Sequence, residues 1–362
     1  MAAIDELFKE MFEKDASDLH ISVGGPLYLR IHGEMTALED HDAVTKEWAR
    51  EILWEIMPEK NRKEFEADHD TDFAYELEGV GRFRSNIFMN RKGIGGVFRL
   101  IPEKLLTVDD LKISPGLRKL CFLSKGLVLV TGPTGSGKST TLAALIDHIN
   151  DMRSDHIITI EDPIEFVHKN KKCLINQREV HTHTQSFARA LRAALREDPD
   201  IVLVGEMRDL ETTRIAIETA ETGHLVFGTL HTSTAASTVD RLINQFPEGE
   251  QAQIRMMLST SLKGVISQTL LKKKSGGRIA ALEVLIVTQP VAANIRDGKT
   301  YQIPSVMQTG AKHGMVLLND ALIELVRKGE VEPQDAYIKA IDKDDMSKKL
   351  AAQGVVLDLS RS

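Results

Sequence analysis

Cysteine is nearly absent from this chain: Cys121 and Cys173 are the 2 in 362 residues. A four-cysteine zinc module is therefore excluded, and both thiols are expected to stay reduced among apolar or mixed neighbours. Aromatics make up only 5% and the formal net charge is -7. A nucleic-acid motor would want a basic channel with stacking rings, so no nucleic-acid partner is expected. No apolar run reaches the roughly 18 residues of a membrane-spanning helix. The start, Met1-Ala2-Ala3-Ile4-Asp5-Glu6, lacks the basic and apolar regions of an export signal. The expectation is a cytoplasmic protein with no transmembrane segment. Its 12 histidines are scattered and form no His-Glu-x-x-His metal pair. What remains is ordinary: 42% hydrophobic residues over 362 positions, enough for two or three domains.

One stretch organises the rest. Gly132-Pro133-Thr134-Gly135-Ser136-Gly137-Lys138-Ser139 fits the phosphate-binding loop pattern G-x-x-x-x-G-K-[ST]. Before it, Gly126 to Thr131 is a short apolar run that reads as a buried strand. After it, Thr140 to Ile149 has the apolar spacing of a helix. Glycines let backbone N–H groups close around phosphate oxygens without Cβ clashes, and the following helix adds the positive end of its dipole. In this frame Thr134, Gly135, Ser136, Gly137, Lys138, Ser139 and Thr140 bind the nucleotide. Lys138 reaches the β- and γ-phosphates and the Ser139 hydroxyl holds Mg²⁺.

Two further apolar strands end in acids. His156 to Ile160 leads into Glu161-Asp162-Pro163-Ile164-Glu165, and Ile201 to Val204 leads into Gly205-Glu206. Acids at strand carboxyl ends face the crevice where ligands bind in open α/β sheets. One carboxylate of the first group can orient and deprotonate an attacking water, and Glu206 fits the Walker-B acid that coordinates Mg²⁺. Hydrolysis is favoured over passive binding. A third strand, Leu225 to Leu230, is bracketed by His224 and His231, each read as a structural residue or a phosphate contact. Between the acidic strands, Arg189, Arg192 and Arg196 share one helix face, read as a solvated or subunit-facing stripe.

The amino-terminal part alternates instead. Asp18 to Val23, Leu27 to Ile31, Asp70 to Leu77, Arg82 to Met89 and Gly96 to Ile101 read as strands, with helices at Ile4 to Phe12 and, capped by Thr45, up to Met57. This predicts an antiparallel α+β domain over residues 1–101, a linker over 102–124 and the nucleotide domain over 125–362. Arg82, Arg84 and Arg99 fall on one face if their strands pair. That face is either a solvated surface or a phosphate-sensing one, because arginine stays charged and forks onto phosphate oxygens.

In order along the chain, Ala16-Ser17-Asp18-Leu19-His20-Ile21, Gly81-Arg82-Phe83-Arg84, the phosphate loop, Ile160 to Glu165, Val204 to Asp209 and Gly223 to Thr232 resemble the secretion and pilus ATPases, most of all the PilT-type retraction motors of type IV pili. The last three match that family's Asp box, Walker B and His box. The resemblance implies an α/β protein with a RecA-like P-loop domain and a smaller PAS-like α+β domain at the amino end. It implies a cytoplasmic homohexamer, peripheral at the inner face of the membrane. Such a ring hydrolyses ATP with Mg²⁺ against a membrane platform protein to retract pili and drive twitching motility, with a paralogous retraction ATPase as a possible partner. By matching position, Glu165 is the catalytic base, Glu206 the Walker-B acid, His231 the His-box residue nearest the nucleotide and His224 its companion. Arg82 and Arg84 are the trans-acting arginines, Arg82 also touching the nucleotide. The chain departs from the family where Val291-Ala292-Ala293-Asn294-Ile295-Arg296-Asp297 puts Ala292 at the position of an arginine. A PilU-like accessory motor and an assembly or secretion ATPase stay open as alternatives.

Toward the carboxyl end, Gln251 to Leu271 reads as one long helix, and Ile279 to Val287 as a strand. Lys272-Lys273-Lys274 reads as a solvated turn or a contact for an anionic partner. Asn319 to Arg327 and Pro333 to Ile341 read as helices, and roughly the last dozen residues as a mobile, motif-free end.

Overall fold

Alternation of apolar and polar residues shapes the first of two compact units, Met1–Lys104. A computed structural model describes residues 2–31, 33–101 and 105–355. In the first unit the elements run α1 (Asp5–Glu13), β1 (Ala16–Ser22), β2 (Leu27–Ile31), β3 (Glu34–Leu38), α2 (Lys46–Ile56), α3 (Glu59–Asp68), β4 (Asp70–Leu77), β5 (Gly81–Asn90) and β6 (Gly93–Ile101). The strands form one sheet in the order β3-β2-β1-β6-β5-β4, with each neighbouring pair antiparallel. Helix α1 buries Leu7, Phe8 and Met11. The Phe8 ring stacks on Phe83 at 4.0 Å between centroids and meets Phe98 nearly edge-on at 5.2 Å. Thr45 caps α2 as expected, its hydroxyl accepting the Trp48 amide at 3.2 Å.

The second unit, Leu105–Ser362, is built on buried parallel strands. It runs α4 (Pro115–Arg118), β7 (Gly126–Thr131), α5 (Lys138–Met152), β8 (His156–Glu161), β9 (Leu174–Glu179), α6 (Phe187–Ala194), β10 (Ile201–Val204), α7 (Leu210–Thr222), β11 (Leu225–Leu230), α8 (Ala235–Asn244), α9 (Glu248–Ser261), β12 (Leu262–Lys272), β13 (Arg278–Ile286), α10 (Gln289–Arg296), α11 (Ile303–Thr309), α12 (Leu318–Arg327), α13 (Pro333–Lys339) and α14 (Lys343–Ala351). The sheet order is β13-β12-β7-β11-β10-β8-β9, parallel throughout except for the β12–β13 hairpin. Every residue of β7, β10 and β11 is buried. That is why these three read as unbroken apolar runs: helices cover both faces, with Leu129, Ile158 and Val202 in one core and Val128, Ile157 and Phe227 in the other. The fold is the expected α/β architecture with a smaller α+β unit at the amino end.

Several expectations need correction. The stretch read as a linker is largely core: Val108, Ile113, Leu117, Leu120 and Cys121 are buried in the second unit, while residues 102–104 lie outside those described. The long helix expected from Gln251 to Leu271 stops at Ser261, and Leu262–Lys272 is a strand. Ser259, Thr260 and Ser261 turn their hydroxyls back onto carbonyls of Met256 and Met257, weakening the helix. The β-branched Val265 and Ile266 then suit a strand buried on both faces. Strands β3 and β9 and helix α3 were not foreseen. Helix α3 buries only Asn61 and Phe65, so it has no apolar stripe to read. Of the motif-free end, residues 356–362 lie outside those described. Two of the turn lysines are paired, Lys273 with Glu330 at 3.9 Å and Lys274 with Glu332 at 3.2 Å. No helix among the described residues is long and apolar enough to cross a membrane.

Candidate nucleotide site

Strand β7 delivers the glycine loop to the carboxyl edge of the sheet, and α5 begins at Lys138. Gly132 has φ 144°, and a Cβ there would come within 2.3 Å of the Gln268 carbonyl oxygen. No side chain fits in that space. The neighbouring strand β12 braces the loop. Gln268 Nε2 donates to the Ser136 carbonyl, Gln268 Oε1 accepts from Thr141 Oγ1 at 2.8 Å, and the Thr131 and Ser267 hydroxyls meet at 2.7 Å. Lys138 Nζ donates to the carbonyls of Gly132 at 2.9 Å and Pro133 at 3.2 Å. Burial pushes the Lys138 ammonium below the usual lysine range, and the carboxylates of Glu206 and Glu165 pull it back up. Both acids therefore act on the lysine of the loop.

Glu206 follows β10, and His231 follows the adjacent β11. His231 Nε2 donates to Glu206 Oε1 at 2.7 Å, the carboxylate being the acceptor that fixes the proton on that nitrogen. Arg208 Nε pairs with the same oxygen. Thr134 of the loop, Glu206 and His231 line one cavity of about 620 Å³, together with Thr232, Arg241 and Gln245. A second cavity of about 1100 Å³ opens from Gly137 and Thr140 over an apolar wall that includes Leu270 and Ile279, with Arg278 beside it.

Glu165 sits exposed on the loop after β8. Two carboxylates tether that loop. Glu179 Oε2 accepts the Ile164 amide at 3.0 Å, and Glu161 accepts the amide of Glu165. Glu161 and Glu179 stand opposite each other on β8 and β9. Burial pushes the Glu161 carboxyl up, and hydrogen bonds from Thr159 and Gln177 counter it.

The sheet edge thus gathers the loop residues Thr134 to Thr140 with Glu206 and His231, and Glu165 lies within electrostatic reach of Lys138. The other expectations fare differently. His224 precedes β11 while His231 follows it, so the two stand at opposite ends of a six-residue strand. His224 Nδ1 lies 3.3 Å from the Thr219 carbonyl and serves the end of α7, so it is no companion to His231. Arg82, Arg84 and Arg99 belong to the first unit. They do share a face, since Arg84 is directly opposite Arg99. That like-charge pairing is relieved by Asp18, which accepts from Arg99 Nε at 2.8 Å, and by Asp72, 3.8 Å from Arg84 Nε. On and just beyond α6, Arg189 donates to Gln185, Arg192 to Glu211 and Arg196 to the Arg192 carbonyl.

Sequence reading missed Gln268, Glu179, Arg208 and Arg241. Arg208 lies two residues after Glu206 and was open to notice. Gln268 and Glu179 sit on strands read as helix or not read at all. Arg241 lies on a helix with no motif of its own.

The donors beside the loop are hard oxygens, the half-buried Ser139 hydroxyl and the Glu206 carboxylate, which suits Mg²⁺ held partly by phosphate oxygens. Among the described residues no group of three or more His, Cys, Asp or Glu is placed to hold a metal. The Ser136 hydroxyl is buried without a protein partner, which suits a phosphate oxygen.

Residues 1–313 match the family model described as type II/IV secretion system protein. The chain is 52% identical over 337 residues to a type IV pilus retraction ATPase, PilT, of Pseudomonas aeruginosa, covering 93% of this chain and 98% of that one. It is 38% identical to the type IV pilus ATPase PilU of the same organism, covering 94% and 90%. A crystal structure of the pilus retraction motor PilT with bound ADP superposes with a TM-score of 0.90 at 45% identity, covering 96% and 99%. The chain belongs to the type II/IV secretion system protein family, in its branch of PilT-type pilus retraction ATPases.

Proposed function

We propose that this chain hydrolyses ATP at the carboxyl edge of its seven-stranded sheet and that a ring of six copies uses the cleavage to retract type IV pili. The observation that carries the chemistry is the cavity of about 620 Å³ where Thr134 of the phosphate loop meets Glu206 and His231. The loop and Lys138 take the phosphates, and the larger cavity past Gly137 and Thr140 takes the base and ribose against Leu270 and Ile279. Mg²⁺ held by Ser139 and Glu206 would neutralise charge on the phosphate oxygens. Glu165 accepts the proton of the attacking water. The water oxygen bonds to the γ-phosphorus as the bond to the bridging oxygen breaks, leaving ADP and inorganic phosphate. His231 holds Glu206 in place through its hydrogen bond.

Arg82 and Arg84 act from a neighbouring copy. Their guanidiniums engage the terminal phosphate while it is present and let go once it is cleaved. That coupling converts hydrolysis into movement of one copy against the next. The ring works at the inner face of the cytoplasmic membrane against a platform protein, with a PilU-type ATPase as a possible paralogous partner. Retraction is preferred over the accessory role because identity to the retraction ATPase, 52%, exceeds that to the accessory-type relative, 38%.

The test is deletion of the gene with pilus retraction measured in single cells, complemented by the parent or by Glu206→Ala. Loss of retraction with piliation intact, restored by the parent alone, is the expected result. Loss of piliation would favour an assembly motor, and restoration by Glu206→Ala would refute hydrolysis as the driving step.

A further inference from the structure

Around the cavity of about 620 Å³, the basic side chains are unequally used. Arg208 and His231 are both bound to Glu206. Arg241 is not: its side chain enters no ion pair or hydrogen bond among the described residues, yet Arg241 lines the same cavity as Thr134 of the phosphate loop. One helical turn on, Gln245 lines the cavity too, and its buried Oε1 has no hydrogen-bond partner. A buried amide oxygen left unsatisfied is costly, so the geometry asks for a donor there.

The helix that presents them is fixed. Thr234 and Ser237 form a capping box at the start of α8, Glu283 Oε1 accepts the Ala235 amide at 2.7 Å, and Asp240 accepts the Thr300 hydroxyl at 2.6 Å. The exposed Arg241 and the half-buried Gln245 thus line one space from a helix held in place. A nucleotide phosphate held by the loop supplies oxyanions but no hydroxyl. Monohydrogen phosphate supplies both.

We propose that this cavity is the holding site for the inorganic phosphate released by cleavage, with Arg241 as its counter-charge and Gln245 accepting its remaining proton. The proposal rests on the reading that the chain hydrolyses ATP. After the water oxygen has joined the γ-phosphorus and the bridging oxygen has left with ADP, the phosphate moves off the loop toward Arg241. It lingers beside Glu206 and His231 before release. The site makes phosphate departure a step separate from ADP departure.

The test measures inhibition of steady-state ATP turnover by added inorganic phosphate and, separately, by ADP, in the full-length protein. Arg241→Gln is expected to raise the phosphate inhibition constant about tenfold or more, the loss of one charge-assisted hydrogen bond, while leaving that for ADP unchanged. Arg241→Lys is expected to fall between Arg241→Gln and the parent. Gln245→Leu, which leaves the charge alone, is expected to weaken phosphate inhibition with ADP again unaffected, and it carries the test if Arg241→Gln does not fold. Phosphate inhibition that is absent in the parent or unchanged in both variants overturns the proposal. So does an equal weakening of ADP, which would make Arg241 a nucleotide contact. If ADP itself fails to inhibit the parent, the nucleotide reading falls, not this assignment alone.

Discussion

The two ends of β11 carry the same residue type in different employment. At the amino end, His224 lies against the Thr219 carbonyl and finishes a helix. At the carboxyl end, His231 holds the Glu206 carboxylate beside the phosphate loop. Both histidines bracket one apolar strand in the sequence and look equivalent there. The sheet's polarity separates them, because all parallel strands end on the same edge and only that edge gathers the loop and the acids. Function in this unit is a property of an edge, not of a residue type.

Substitutions can break that contrast. Glu206→Gln should have the largest effect, lowering kcat for ATP hydrolysis by about 10²–10³ with the fold intact; near-normal turnover would remove Glu206 from the chemistry. His231→Ala should lower kcat by about 10- to 100-fold with nucleotide affinity largely kept. His224→Ala should leave kcat unchanged and cost about 1 kcal/mol of stability, read by urea unfolding. Equal kinetic effects of the two histidines would contradict the contrast. Gln268→Leu, which unties the loop from β12, should cost about 1–3 kcal/mol and raise KM for ATP more than it lowers kcat.

A third histidine sharpens the comparison without any ligand. Burial pushes His168 down to about 4 from its usual 6.5, with Asp147 raising it and Lys171 lowering it in lesser measure. The folded state therefore binds fewer protons than the unfolded one in that window. Its contribution is complete above pH 6.5 and is lost as pH falls through the folded value near 4. Urea unfolding followed from pH 7 to 4 should show this loss, and His168→Gln should reduce it.

Much of the site was legible because the constraint was local. A phosphate loop needs glycine where Gly132 leaves no room for a Cβ, and a fully buried parallel strand such as β10 must be apolar until its acidic end. What escaped was long-range. Gln268 lies 132 residues from the carbonyl it holds, and nothing local marks it. Strand β9 reads Leu-Ile-Asn-Gln-Arg-Glu, with too few apolar residues to announce a strand; backbone pairing with β8 makes it one. The helix that became β12 failed for a similar reason. Helical spacing of apolar residues cannot be told from a continuous apolar run once both faces are buried.

The most direct test of the account mixes two inactive proteins. Subunits carrying Arg82→Ala and Arg84→Ala are combined with subunits carrying Glu206→Gln, and ATP turnover is measured on the reassembled oligomer. If one copy grips the nucleotide while its neighbour supplies the arginines, some seams regain a complete site and turnover reappears. Mixtures as inactive as either parent alone would contradict it.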